Sequence, residues 1–218
     1  MADLKRRIAS RCAKEFKNGA VINLGIGLPT MVADCLPEGV HITLHSENGF
    51  TGLESGAEPG KENVDVINSG GAYVNYAPQS NFFDSATSFA IIRGGHVEAT
   101  VLGAMEVDKH GNLANWIVPG KMVAGMGGAM DLVVGAKKVI IAMLHTQKGA
   151  PKILDECTLP YTALKVVDMI VTEMGVMEVT EDGIVLKELH PDFTLDEIKA
   201  ATGCELIIAE DLKVMEEE

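Results

Sequence analysis

Thr43-Leu44-His45-Ser46-Glu47-Asn48-Gly49 carries the strongest local signal in the chain. Val40, Ile42 and Leu44 alternate with polar neighbours, the period-two pattern of a strand with one buried face. Asn48-Gly49 ends that run, because this pair readily adopts positive φ and turns the chain. Glu47 is thereby predicted at the carboxyl end of a strand, and in open α/β sheets that end is where ligands bind. The plain reading of the same residues is a hairpin turn with a solvated carboxylate beside it.

Upstream, residues 20–24 read as a buried strand, and Gly25-Ile26-Gly27-Leu28-Pro29 turns into a short helix through Cys35. This is half of a dinucleotide fingerprint without its third glycine, so it does not point to a nucleotide cofactor. Gly25 and Gly27 keep two readings, a tight strand-to-helix turn or a border of the site. The chain opens with a helix capped by Asp3, with Leu4, Ile8, Ala9, Cys12 and Phe16 on one face and Asn18-Gly19 at its end. Arg6, Arg7 and Arg11 fall on its solvated side.

Downstream, residues 52–63 are rich in Gly and Glu and read as a surface loop, followed by a short strand at 64–68. Asp84 caps a helix through Arg93. Residues 97–107 and 113–118 are apolar and β-rich, with a hairpin signal at Asp108-Lys109-His110-Gly111-Asn112. Residues 120–130 are a glycine-rich loop leading to a short helix through Val134. The apolar run at 138–144 suits a central strand. Segments 170–179 and 183–189 flank a second hairpin signal, Glu181-Asp182-Gly183. Thr194-Leu195-Asp196-Glu197 is a capping box opening a helix that ends at Gly203. Residues 205–209 read as a last strand, and the acidic residues 216–218 are predicted to fray. Strands and helices alternate early and hairpins come later. The predicted fold is α/β, a layered mixed sheet flanked by helices, in one domain over residues 1–218.

Composition narrows the function. The formal charge is −13, which repels nucleic acid and anionic membrane, so neither is a predicted partner. The 23 glycines suit tight turns and a ligand cleft that backbone can approach closely. Cys12, Cys35, Cys157 and Cys204 include no Cys-x-x-Cys pair, so no metal site is predicted and the thiols are read as reduced, mostly buried, in a cytoplasmic protein. No apolar run reaches membrane-span length, and Met1-Ala2-Asp3-Leu4-Lys5-Arg6-Arg7 has no apolar core behind it, so no signal peptide is predicted.

Leu44-His45-Ser46-Glu47-Asn48-Gly49 resembles the active-site signature of the family I CoA-transferases. Further stretches are similar to that family in the same order. They are Val21-Ile22-Asn23-Leu24-Gly25-Ile26-Gly27-Leu28-Pro29, Ile92-Arg93-Gly94-Gly95-His96-Val97, Ala114-Asn115-Trp116-Ile117-Val118-Pro119-Gly120-Lys121-Met122 and Gly125-Met126-Gly127-Gly128-Ala129-Met130-Asp131. The resemblance covers nearly the whole chain. It is strongest to the branch formed by the β subunits of acetate– or butyrate–acetoacetate CoA-transferases and the C-terminal half of succinyl-CoA:3-oxoacid CoA-transferases.

The resemblance implies a fold shared with sugar-phosphate isomerases and exchange of CoA between an acyl-CoA and a short carboxylic acid. It requires no cofactor, since coenzyme A is itself a substrate. Glu47 is implied as the nucleophile that becomes a glutamyl-CoA thioester, and the Gly128 N–H as an oxyanion donor. Asn23, Gly25, Gly27, Asn48, Asn115 and Gly127 are implied at the substrate side. Asn23 and Asn115 have the plainer reading of satisfied amides, and the glycines 125, 127 and 128 that of a helix-entry turn. Arg93, His96 and Lys121 could meet CoA phosphates or the substrate acid, though solvated roles suit each singly. His45 reads as a strand-surface residue, because thioester–carboxylate exchange needs no proton transfer. The family divides its site between two domains, and the partner domain's glycine motif is missing here. The implied partner is an α subunit, in an α2β2 assembly. An acyl-CoA hydrolase or a non-catalytic sensor subunit on the same fold is the alternative.

Overall fold

The computed structural model describes residues 2–216. Its centre is a ten-stranded sheet. The strands are β1 Val21–Leu24, β2 Thr43–Ser46, β3 Phe50–Gly56, β4 Val74–Phe82, β5 Ala99–Leu102, β6 Val139–Ala142, β7 Met169–Val171, β8 Gly175–Thr180, β9 Gly183–Leu189 and β10 Leu206–Val214. Their spatial order is β10-β9-β8-β7-β6-β5-β1-β2-β3-β4. The middle strands β7, β6, β5, β1 and β2 run parallel. Antiparallel hairpins β2–β3–β4 and β7–β8–β9 extend the sheet on either side.

Helices cover both faces, as the apolar patterns require. Alternate residues of β6 show the division. Ile140 and Ala142 join a core with Ile8, Cys12 and Phe16 from helix α1 (Ala2–Ala13) and its following turn. Val139 and Ile141 join a second core with Ile198 of helix α4 (Leu195–Ala201). Ile140 and Ile141 are both fully buried, each contributing about 2 kcal/mol of apolar burial. Helices α2 (Ser85–Arg93) and α3 (Ala129–Gly135) pack together through Ile92 and Leu132. The Asp84 cap on the Thr87 N–H and the Thr194–Glu197 capping box form as predicted.

Several predicted boundaries move. Helix α1 begins at Ala2, so Asp3 lies in its first turn and not before it. Residues 28–35 form a 3-10 helix entered through Pro29. The alternation at 40–44 becomes a strand only from Thr43. The loop predicted at 52–63 begins as strand β3, paired with a β4 that the sequence pattern does not show. Residues 64–68 form no strand; Ile67 makes one isolated bridge to Tyr73. The run 97–107 breaks after Leu102, and Glu106–Asp108 pairs instead with Leu113–Ala114 in a small separate sheet. Segment 170–179 folds back on itself, with Val171 opposite Val176. The final helix stops at Ala201. Of the tail predicted to fray, Glu216 is exposed and residues 217–218 lie outside the described residues. Cys12 alone of the cysteines is fully buried, and burial pushes its thiol up to about 12.

The reading of Arg11 as solvated is also corrected. Its side chain is 10% exposed and meets Glu188 of β9 through two bonds, Nε to Oε2 and Nη2 to Oε1, both 2.7 Å. Its Nη1 meets Glu15 Oε1 at 2.7 Å, and Lys138 Nζ meets Glu15 Oε2 at 2.7 Å. Burial opposes the charge on Arg11, but the bonds from Glu188 and Glu15 outweigh it and raise the guanidinium's pKa. A helix face that looks polar in sequence is therefore covered by an opposite charge from far along the chain. Breaking such a pair leaves carboxylates half-buried without their cation. Arg11→Met is expected to cost about 3 kcal/mol in thermal or urea unfolding. A loss below about 0.5 kcal/mol would reduce the network to a surface ion pair.

Candidate functional site

The strands β1, β2 and β5 bring their carboxyl ends to one edge of the sheet, and Glu47 stands on that edge. Ser46 pairs with Phe50, so Glu47-Asn48-Gly49 is the whole turn between β2 and β3. Gly49 holds φ +131, and a Cβ there would sit against the Phe83 carbonyl oxygen, so glycine is required on both counts. The turn is thus the hairpin of the plain reading, yet its carboxylate is not left to water. Glu47 is half-buried, and Asn23 Nδ2 donates to its Oε2 at 3.1 Å. The same Nδ2 donates to the His45 carbonyl at 3.1 Å, which ties the nitrogen to β2.

On the other side stands Gly128, the residue before α3. Its φ of −85 is open to any residue, so the backbone does not ask for glycine. Space does. A Cβ at Gly128 would lie 3.1 Å from Glu47 Cγ and 3.4 Å from Phe89 Cζ. Among the described residues, the Gly128 N–H meets no acceptor. Gly127 and Gly125 differ, with φ +51 and +82 and nothing within 4 Å of an added Cβ. They turn the chain so that Gly128 can face the carboxylate.

His45 is buried at 3% exposure, which corrects the strand-surface reading. Its ring lies 6.3 Å from Phe83 in a stacked arrangement, and its Nε2 is 3.0 Å from Ser88 Oγ on α2. Burial lowers its pKa, which favours the neutral ring, with the nearby Glu47 charge opposing.

The remaining predicted residues spread along the same edge. The Gly25 N–H donates to the Val101 carbonyl at 2.8 Å, and a Cβ there would meet Leu102 at 3.0 Å, so Gly25 packs β1 against β5. Gly27 holds φ +87 at the start of the 3-10 helix. Asn48 turns away from Glu47. It accepts from Ser46 Oγ at 2.6 Å and donates to the Ile67 carbonyl at 2.7 Å. Asn115 sits past the end of β5, bonded to the Gly103 carbonyl at 3.1 Å and to Thr162 Oγ1 at 2.7 Å. Arg93 pairs with Asp131 at 2.7 Å, joining α2 to α3, while His96 and Lys121 are exposed. A cleft of about 550 Å³ opens beside β2, lined by Leu24, Ile26, Leu44, Ser46, Leu53 and Ser69. Sequence reasoning missed Ser88, Phe89 and Thr100. A polar residue inside the apolar Ala99-Thr100-Val101-Leu102 was the one available signal.

Among the described residues no cluster of His, Cys, Asp and Glu could hold a metal ion, and no helix is long and apolar enough to cross a membrane.

The model of the coenzyme A transferase family matches residues 5–201. An acetate CoA-transferase subunit beta of Haemophilus influenzae is 55% identical over 213 residues, covering 97% of this chain and 95% of that protein. The mitochondrial succinyl-CoA:3-ketoacid coenzyme A transferase 2A of Rattus norvegicus is 49% identical over 221 residues, 99% of this chain but 42% of that protein. The crystal structure of an acyl-CoA transferase from Escherichia coli O157:H7 superposes with a TM-score of 0.78 at 25% identity, covering 98% of this chain and 43% of that one.

The two adjacent glycines should respond differently to one added methyl. Gly127→Ala is expected to cost about 1 kcal/mol in thermal unfolding, because its φ is left-handed. Gly128→Ala should melt with the parent protein, yet move the Glu47 side chain off Asn23. A crystal structure of that variant would read this as loss of the 3.1 Å contact.

Proposed function

This chain belongs to the coenzyme A transferase family, and on that premise we propose that it is the β subunit of an enzyme moving CoA between a short-chain acyl-CoA and an acid of the acetate, butyrate or 3-oxo type. The observation that carries the proposal is Glu47 itself. It is a half-buried carboxylate at the sheet edge, bonded to Asn23 Nδ2 at 3.1 Å and faced by Gly128, whose lack of a side chain leaves room beside it.

The chemistry follows from what a carboxylate needs. In water it is a weak nucleophile, and a partly dry site with few donors raises its reactivity. One oxygen of Glu47 attacks the thioester carbonyl carbon. The C–S bond breaks, CoA leaves as the thiolate, and an acyl-glutamyl anhydride remains. The thiolate then attacks the glutamyl carbonyl carbon, expelling the first acid as its carboxylate and leaving a glutamyl-CoA thioester. The second acid reverses these steps and carries CoA away. No proton changes hands, in keeping with a neutral, buried His45. Each addition places negative charge on a carbonyl oxygen. The Gly128 N–H, at the entry to α3, is the donor proposed for it, a contribution typically worth about 10²–10³ in rate. Asn23 holds Oε2 and so leaves Oε1 to attack. Gly127 sets the direction of the Gly128 amide, and Gly25, Gly27, Asn48 and Asn115 frame the edge on which substrate lies.

An α subunit completes the site in this reading, as an α2β2 assembly in the cytoplasm. The relatives named as beta subunits support a partner. So does the rat protein, in which the region like this chain is less than half of the polypeptide. A formal charge of −13 also repels the CoA phosphates, which favours a basic contribution from elsewhere.

Two experiments test the proposal. Incubation of the reconstituted heteromer with acyl-CoA, followed by borohydride, should reduce a thioester on the peptide containing Glu47 and inactivate the enzyme. Glu47→Gln should neither label nor turn over, while keeping its melting temperature. A label on any other residue would overturn the assignment. Separately, the purified single chain should show negligible transfer that appears on mixing with an α subunit. Robust turnover by the single chain would refute the divided site.

A further inference from the structure

Below Glu47 the sheet carries a row of polar side chains where apolar ones would be expected. Strand register sets Thr100 of β5, Asn23 of β1 and His45 of β2 side by side on the face covered by α2. They are 0%, 1% and 3% exposed. Each has one side-chain atom without a hydrogen-bond partner among the described residues: Thr100 Oγ1, Asn23 Oδ1 and His45 Nδ1. An unmet buried polar atom costs about 1–3 kcal/mol. Three such atoms together would remove a large share of a typical fold's stability.

Donor and acceptor chemistry orders the row. Asn23 Nδ2 faces two acceptors, Glu47 Oε2 and the His45 carbonyl. The amide nitrogen must therefore point that way, and Oδ1 points away from Glu47 and needs a donor. The Ser88 N–H is spent on the Asp84 carbonyl, and the one partner of its hydroxyl is His45 Nε2. The hydroxyl hydrogen has no other acceptor, so Ser88 donates to Nε2. A neutral imidazole then carries its proton on Nδ1, which becomes a donor inside the row. A buried water typically makes about three hydrogen bonds to otherwise unmet groups. Here it would accept from His45 Nδ1 and donate to Asn23 Oδ1 and Thr100 Oγ1.

We infer that Ser88, His45 and Thr100 are positioning residues, which act through one internal water to hold the Asn23 amide and, through it, the Glu47 carboxylate. The inference rests on the reading of Glu47 as nucleophile. A flipped Asn23 would set Oδ1 against Glu47 Oε2, acceptor against acceptor, and release the carboxylate. The relay from α2 through β2 to β1 keeps Oε2 occupied and the other oxygen free.

The test uses the reconstituted heteromer. With ¹⁵N-labelled histidine, the resonance that disappears in His45→Gln should report the Nδ1-protonated neutral ring in the parent enzyme. An Nε2-protonated ring would overturn the relay without any activity measurement. Ser88→Ala and Thr100→Val should each lower kcat about tenfold while leaving both KM values within about twofold, the mark of lost alignment and not of lost binding. Their double variant should lose less than the product of the two, because both act through the same water. Borohydride labelling separates the two levels. No label at Glu47 in the parent would refute the nucleophile reading. A label there, with normal kcat in Ser88→Ala and Thr100→Val, would refute the positioning reading alone. Should either variant fail to fold, the histidine tautomer still decides.

Discussion

The contact between Asn23 Nδ2 and Glu47 Oε2 is the interaction on which the site depends. A carboxylate at a hairpin turn would ordinarily swing free in water. Here the neighbouring parallel strand reaches across and holds one oxygen. That requires β1 and β2 to be parallel and in register, so that Asn23 lies beside His45 and reaches the residue two places on. It also requires α3 to bring a residue without a Cβ against the other side of the carboxylate. The five parallel strands, their covering helices and the glycine turn before α3 can be understood as what keeps these groups together.

The elements that could be read directly are those whose signal is local. The strand ending at Glu47, the apolar run at 138–144 (a strand over Val139–Ala142) and the helix caps at Asp84 and Thr194 depend on a few adjacent residues, and the structure has them. Strand β4 is different. Its sequence, Val-Asn-Tyr-Ala-Pro-Gln-Ser-Asn-Phe, breaks the apolar alternation and contains Pro78. Proline is tolerated there because β4 is an edge strand, bonded on one side only. Exposure was misjudged at Arg11 and His45 for a shared reason. A polar residue is read as outside unless its partner is known, and Glu188 and Ser88 are distant in sequence.

For the candidate site, the resemblance named Glu47, Gly127, Gly128 and Asn23, and the fold sets Gly128 and Asn23 against the Glu47 carboxylate. Nothing local distinguishes Asn23 from Asn115. Both are amides next to apolar strand residues. Only the fold shows that one donates to Glu47 while the other spends its side chain on Gly103 and Thr162. The glycines divide in the same way. Gly27, Gly125 and Gly127 serve backbone conformation, whereas Gly25 and Gly128 serve close approach, and that distinction appears only in the φ angles and neighbouring atoms.

The clasp between Arg11 and Glu188 also sets an order of events during synthesis. The two residues are 177 positions apart. At about 5–20 residues per second, a ribosome would need roughly 9–35 s to add Glu188 after Arg11. For that interval the first helix has its apolar face ready but not the anion that seats its arginine. The strands it lies against, β6 and β7, emerge before Glu188, so the parallel centre can assemble first, with the amino-terminal helix clasped last. A chain cut short before β9 would keep the Glu47 turn and lose the means to fasten its own beginning.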